Sequence, residues 1–198
     1  MSQSLTEQFP LPDTIFVGGY TTSGILRADN KEKGRLFTTD MVKNNTVLGV
    51  LSRAAGSNVG GILHLIAPPF IDNETQFVEN IRKQFDDFHA ALIKESGYGR
   101  HYECVLFGPH AFPGTDDNRA ERASRLLYQT ISRKVQVTPQ FYPPHLVDSE
   151  YGELILDVRM GTISHQQVTA DNVIGFMKRN PDAYEGADIL FPELKLGR

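Results

Sequence analysis

Six apolar residues (Phe77, Val78, Ile81, Phe85, Phe88 and Leu92) recur at helical spacing and line one stripe of a helix over residues 74–95. Asp72 or Asn73 can cap its start, and Gly97 stops it. A second amphipathic pattern covers 116–132, with Ala120, Ala123, Leu126, Leu127 and Ile131 on one side and Asp116 and Asp117 at its dipole-positive start. Thr169 caps a last helix over 170–179. The remaining apolar runs are short and strand-like: 13–19, 35–39, 46–52, 60–67, 102–107, 134–141, 153–159 and 161–168. The run at 60–67 is apolar almost throughout, which predicts burial on both faces. Residues 28–34 form a polar, turn-rich loop.

Many strands and few helices, grouped rather than strictly alternating, predict an α+β layered domain rather than a doubly wound sheet. Residues 1–12, with Pro10 and Pro12, read as a flexible N-terminal arm, 13–180 as a single domain and 181–198 as a C-terminal tail. There is no G-x-G-x-x-G after a strand and no P-loop, so nucleotide-binding folds gain no support.

Composition narrows the function classes. The 198-residue chain has a net charge of −4 and scattered Lys and Arg, without the basic footprint that nucleic acid requires. No apolar stretch reaches the length of a membrane span, and no secretory leader is visible. The single cysteine, Cys104, excludes an internal disulfide and fits a reducing compartment, so the cytoplasm is the expected location.

His64 is the strongest chemical candidate. It sits in an apolar strand after Gly60-Gly61, which carry no side chains to keep a ligand away, and shortly before Pro68-Pro69. Its bland reading is a core histidine bonded to a backbone carbonyl. Two nucleophiles could pair with it. Ser52 ends the 46–52 strand but lacks a G-x-S-x-G elbow. Cys104 lies mid-strand, where burial favours an inert thiol. His101 and Cys104 resemble half a metal site, but a structural zinc needs four ligands, so no metal and no cofactor are expected. The acidic residues Asp116, Asp117, Asp182, Glu185 and Asp188 read as caps and solvated turns.

Taken in order, the motifs resemble the CheD family of chemoreceptor glutamine deamidases over residues 14–166. They are Val17-Gly18-Gly19-Tyr20, Thr46 through Ser52, Val59-Gly60-Gly61-Ile62-Leu63-His64 with Pro68 after it, Val105 through Ala111, Gly114 with Asn118, and Tyr151-Gly152-Glu153 through Asp157 and Gly161. The resemblance implies an α+β layered sandwich of mixed β-sheets flanked by helices. It also implies that His64 is the base, that Thr46 orients it, and that Gly60, Gly61 and Asn118 belong to the binding region. In the family a cysteine thiolate attacks a receptor glutamine amide. Its position here falls on Leu51, with Ser52 next to it, and leucine cannot attack a carbonyl. The implied function is a divergent CheD-like protein acting on or binding a chemoreceptor or chemotaxis regulator, a pseudoenzyme with reduced or absent deamidase activity. The alternatives are a non-catalytic protein-binding module whose glycine-lined pocket takes a partner loop, and a hydrolase using Ser52 or Cys104 with His64. The sequence carries no signal for oligomeric state.

Overall fold

The computed structural model describes residues 5–9, 11–18, 23–41, 46–53, 57–65, 73–97, 101–107, 129, 130, 132, 133, 137–141 and 151–180. Among the described residues nine strands form two sheets: β1 (Thr14–Phe16), β2 (Ser23–Arg27), β3 (Arg35–Met41), β4 (Thr46–Ser52), β5 (Val59–Leu65), β6 (Tyr102–Phe107), β7 (Val137–Phe141), β8 (Tyr151–Asp157) and β9 (Thr162–Gln167). One sheet has the order β1-β3-β8-β9, the other β2-β5-β4-β6-β7. Both are mixed: β1–β3 and β6–β7 run parallel, and the other pairs are antiparallel. Pro139 lies in β7, at the edge of its sheet, where a missing backbone N–H is tolerated.

Alternation along each strand builds three apolar layers. Between the sheets lie Leu36, Val47, Leu51, Ile62, Val105, Leu154, Leu156 and Val158. Helix α2 (Glu74–Ser96) covers the outer face of the five-stranded sheet, setting Phe77, Ile81, Phe85, Phe88 and Leu92 against Leu48, Val50, Val59, Leu63 and Cys104. Helix α3 (Ala170–Arg179) covers the other sheet, packing Val173, Phe176 and Met177 on Phe37. The architecture is α+β: two facing sheets with helices outside.

The helix limits follow from their caps. Asn73 Oδ1 accepts from the Gln76 N–H at 3.1 Å, and Gly97 takes φ 84° after the last turn of α2. Thr169 and Asn172 cap α3 reciprocally. The expected helix over 116–132 lies almost wholly outside the described residues, of which Gln129, Thr130 and Ser132 are helical. The tail 181–198 lies outside them altogether.

Two elements differ from the sequence expectation. Strand β2, with only Ile25 and Leu26 as large apolar residues, is too polar to stand out and forms because it edges β5. The N-terminal arm is docked rather than loose where it is described. Leu5–Gln8 makes one helical turn, α1. Phe9 then packs at ring distances of 5.3 to 6.1 Å against Phe176, Phe37 and Phe16. Glu7 accepts a hydrogen bond from Asn172 at the start of α3. One turn has little helical stability of its own, so these contacts hold it.

The two ends of the sandwich differ. At one, side chains tie loops to backbone carbonyls: Arg53 to Gly161 O at 2.8 Å, Asn58 to Val158 O at 2.9 Å and Arg159 to Asn30 O at 3.1 Å. Arg35 bridges Asp13 and Asp157 there. The opposite end is marked by Met41, Thr46, Leu65, Phe107 and Tyr151, and the longer connections leave from it. His64 is one residue from that end.

Gly60 and Gly61 set how closely the layers approach β5. A Cβ on Gly60 would come within 2.7 Å of Val158 Cγ1, and one on Gly61 within 2.7 Å of Phe88 Cζ. Gly60→Ala and Gly61→Ala should therefore each lower unfolding free energy by about 1–3 kcal/mol, the usual cost of overpacking. Urea denaturation measures this, and an unchanged midpoint would show that these positions face open space instead.

Candidate functional site

The site is built from β5 outward. Gly60, Ile62 and His64 point between the sheets, whereas Val59, Gly61 and Leu63 point towards α2. His64 is 6% exposed. Its Nε2 lies 2.8 Å from Thr38 Oγ1 on β3 and 3.2 Å from the carbonyl of Val17, just past β1. A carbonyl only accepts, so the proton belongs on Nε2 and is shared between the two oxygens. In the neutral ring the basic nitrogen is then Nδ1. The imidazole joins the sheets and is held in one orientation by Thr38.

Thr46, expected to orient the histidine, is in backbone register with Leu65 at the start of β4, and its side chain lies outside the described ones. A hydroxyl bonded to His64 belongs to Thr38, a residue the sequence does not single out. The signal for it is the Leu36-x-Thr38 alternation in β3, which puts a polar residue on an inward face. It acquires meaning only once the two sheets are stacked.

The neighbours of His64 decide its chemistry. Val47, fully buried, is its cross-strand partner on β4 and shares its face. Leu51, expected at the nucleophile position, is paired with Gly60 instead, four residues along from Val47. Ser52 is paired with Val59 and points to the α2 side. Five residues of extended strand separate Ser52 from Val47, roughly 17 Å at the usual rise. Ser52 cannot be activated by His64. Its Oγ is buried without a hydrogen-bond partner.

Cys104 is paired with Val50 and packs beneath α2, again on the face away from His64. Burial, with a smaller contribution from Glu103, pushes its thiol up to about 12. A thiol that ionises so late supplies no thiolate at neutral pH. The two hydrolase pairings, Ser52–His64 and Cys104–His64, are therefore not formed.

The glycine-lined pocket is also corrected. The space beside Gly60 and Gly61 is filled by Val158 and Phe88, so these residues serve packing and do not receive a ligand. Asn118, like His110, His145, Asp116 and Asp117, lies outside the described residues. His101 is exposed and Cys104 buried. Among the described residues no group of three or more His, Cys, Asp or Glu side chains could hold a metal ion. No described helix is long and apolar enough to cross a membrane.

What remains is an oriented imidazole beside a valine, near the loop-bearing end of the sandwich. Neither Ser52 nor Cys104 stands where His64 could activate it as a nucleophile. Searches of family models and of curated proteins matched nothing to this chain.

Two outcomes follow from the nucleophile geometry. Ser52→Ala removes an unsatisfied buried hydroxyl, so it should leave stability unchanged or raise it by about 1 kcal/mol, as read by urea denaturation. A loss above that size would mean that Ser52 has a partner. Cys104 should resist iodoacetamide at pH 8 in the folded protein and react promptly in denaturant, as followed by mass spectrometry. Rapid native-state labelling would contradict the buried placement.

Proposed function

We propose that this chain is a CheD-like domain that binds chemoreceptor-type proteins without hydrolysing their glutamines. The supporting observation is the His64–Thr38 pair at 2.8 Å with Val47 in the cross-strand position. Deamidation of glutamine needs a nucleophile to displace ammonia and water to release glutamate. A base accelerates this only when it can reach the proton it removes. Ser52 and Cys104 lie on the other face of the sheet, and valine has no group to offer.

Binding is the reading that survives this loss. The end of the sandwich near His64 carries the longer connections, and recognition residues on many folds are placed on such loops over a rigid scaffold. The acidic balance of the chain suits a protein partner better than nucleic acid. The oriented histidine bonds the two sheets.

The test combines binding with mass analysis. A chemoreceptor signalling fragment bearing its native glutamines is incubated with wild type and with His64→Ala. The expected result is measurable binding by calorimetry and no deamidation mass gain with either protein. A gain that requires His64 would overturn the non-catalytic reading, and absence of binding would overturn the partner assignment.

A further inference from the structure

The two groups that meet His64 Nε2 each follow an aromatic residue. Val17 follows Phe16 on β1, and Thr38 follows Phe37 on β3; Phe16 and Phe37 are in parallel register. By alternation the two rings lie on the outer face of the sheet, while Val17 and Thr38 turn towards the facing sheet. The aromatic cluster thus backs both residues that hold the imidazole.

The Phe16 ring lies back along its own strand. A Cβ on Gly18 would come within 2.6 Å of Phe16 Cζ, so the ring occupies the space that a side chain at position 18 would fill. It rests against the Val17–Gly18 peptide unit, whose carbonyl accepts from His64 Nε2 at 3.2 Å. At the edge of its sheet, β1 is three residues long and pairs with β3, and the Val17 N–H donates to Phe37 O at 2.8 Å. So short an edge strand depends on what covers it. Phe9 supplies that cover. Its ring lies 6.1 Å from Phe16, 5.8 Å from Phe37 and 5.3 Å from Phe176, and Phe16 and Phe176 are 4.9 Å apart. Phe9 in turn hangs on α1, a single turn with Glu7 and Gln8 exposed, which places the arm at the low end of local stability.

We propose that Phe9 is a latch on the N-terminal arm: docked in the aromatic cluster, it holds the Phe16 ring on Gly18 and thereby the Val17 carbonyl on His64. The element has two states, arm docked and arm released. In the released state the Phe16 ring loses its outer cover, the Val17–Gly18 peptide is less firmly held, and His64 Nε2–H depends more on Thr38. The coupling runs through three adjoining contacts, Phe9 on Phe16, Phe16 on Gly18 and the Val17 carbonyl on His64, so it needs no long-range pathway. Docking of the N-terminus therefore sets how firmly the imidazole is oriented, whatever binds at that end of the sandwich.

The experiment is NMR of the full chain with nitrogen-labelled histidine rings and backbone, comparing wild type with Phe9→Ala, Phe9→Leu and Glu7→Ala. Phe9→Ala should move the His64 ring signals and speed hydrogen exchange of the Val17 N–H, with the amides in the middle of α2 and β4 exchanging as in wild type. Phe9→Leu should restore most of both effects. Glu7→Ala removes the hydrogen bond from Asn172, at 2.8 Å, without touching the aromatic cluster, and should move the His64 signals in the same direction by less. His64 signals identical in Phe9→Ala and wild type would overturn the latch. Exchange that quickens equally in Val17, α2 and β4 would overturn it too, because it would mark a general loss of stability. If Phe9→Ala does not fold, Glu7→Ala decides: displaced His64 signals with quickened Val17 exchange support the latch, and unmoved signals sink it.

Discussion

Side-chain parity along β4, β5 and β6 governs the rest of this structure. On each strand, one set of alternate residues enters the space between the sheets and the other set meets α2. Val47 and His64 share the first set, whereas Ser52 and Cys104 belong to the second. No rotamer moves a side chain from one face of a strand to the other. A nucleophile on the α2 face is therefore beyond the reach of the histidine whatever its reactivity.

The same parity explains the glycines. Gly60 lets Val158 approach from the facing sheet, and Gly61 lets Phe88 approach from α2, so each removes a side chain from a different layer interface. Close approach on both sides leaves β5 fully enclosed. His64 is tolerated inside it because Thr38 and the Val17 carbonyl meet its Nε2–H. A buried imidazole without such partners would cost on the order of 1–3 kcal/mol. The hydrogen bonds that make the histidine affordable in the core also fix its orientation.

The two ends of the sandwich differ in chemistry. Arginine and asparagine side chains close one end onto backbone carbonyls, which satisfies loop acceptors and fixes the β8–β9 turn at Gly161. At the other end Thr38 and His64 meet between the sheets. The aromatic group formed by Phe9, Phe16, Phe37 and Phe176 anchors the N-terminal turn and α3 to the outer face of the sheet that carries Thr38. His64 thus stands on a strand packed on both sides.

Much of this was legible in the residues. Period and caps give α2 and α3 almost to the residue, because Asn73, Gly97 and Thr169 act within one turn of their own helix. The limits of β4 and β6 match the apolar runs at 46–52 and 102–107. His64 stood out as a polar residue in an apolar strand. The partners of His64 were not legible. Thr38 is 26 residues away and Val17 is 47, and neither spacing carries a local signal. Likewise, Ser52 looked adjacent to the histidine strand in sequence, yet pairing put Val47 there. Local chemistry and period determined by themselves α2, α3 and their caps, strands such as β4 and β6, and the histidine as a candidate. Register and sheet stacking, which join residues with no sequence relation, alone decided that the histidine meets a threonine, a carbonyl and a valine.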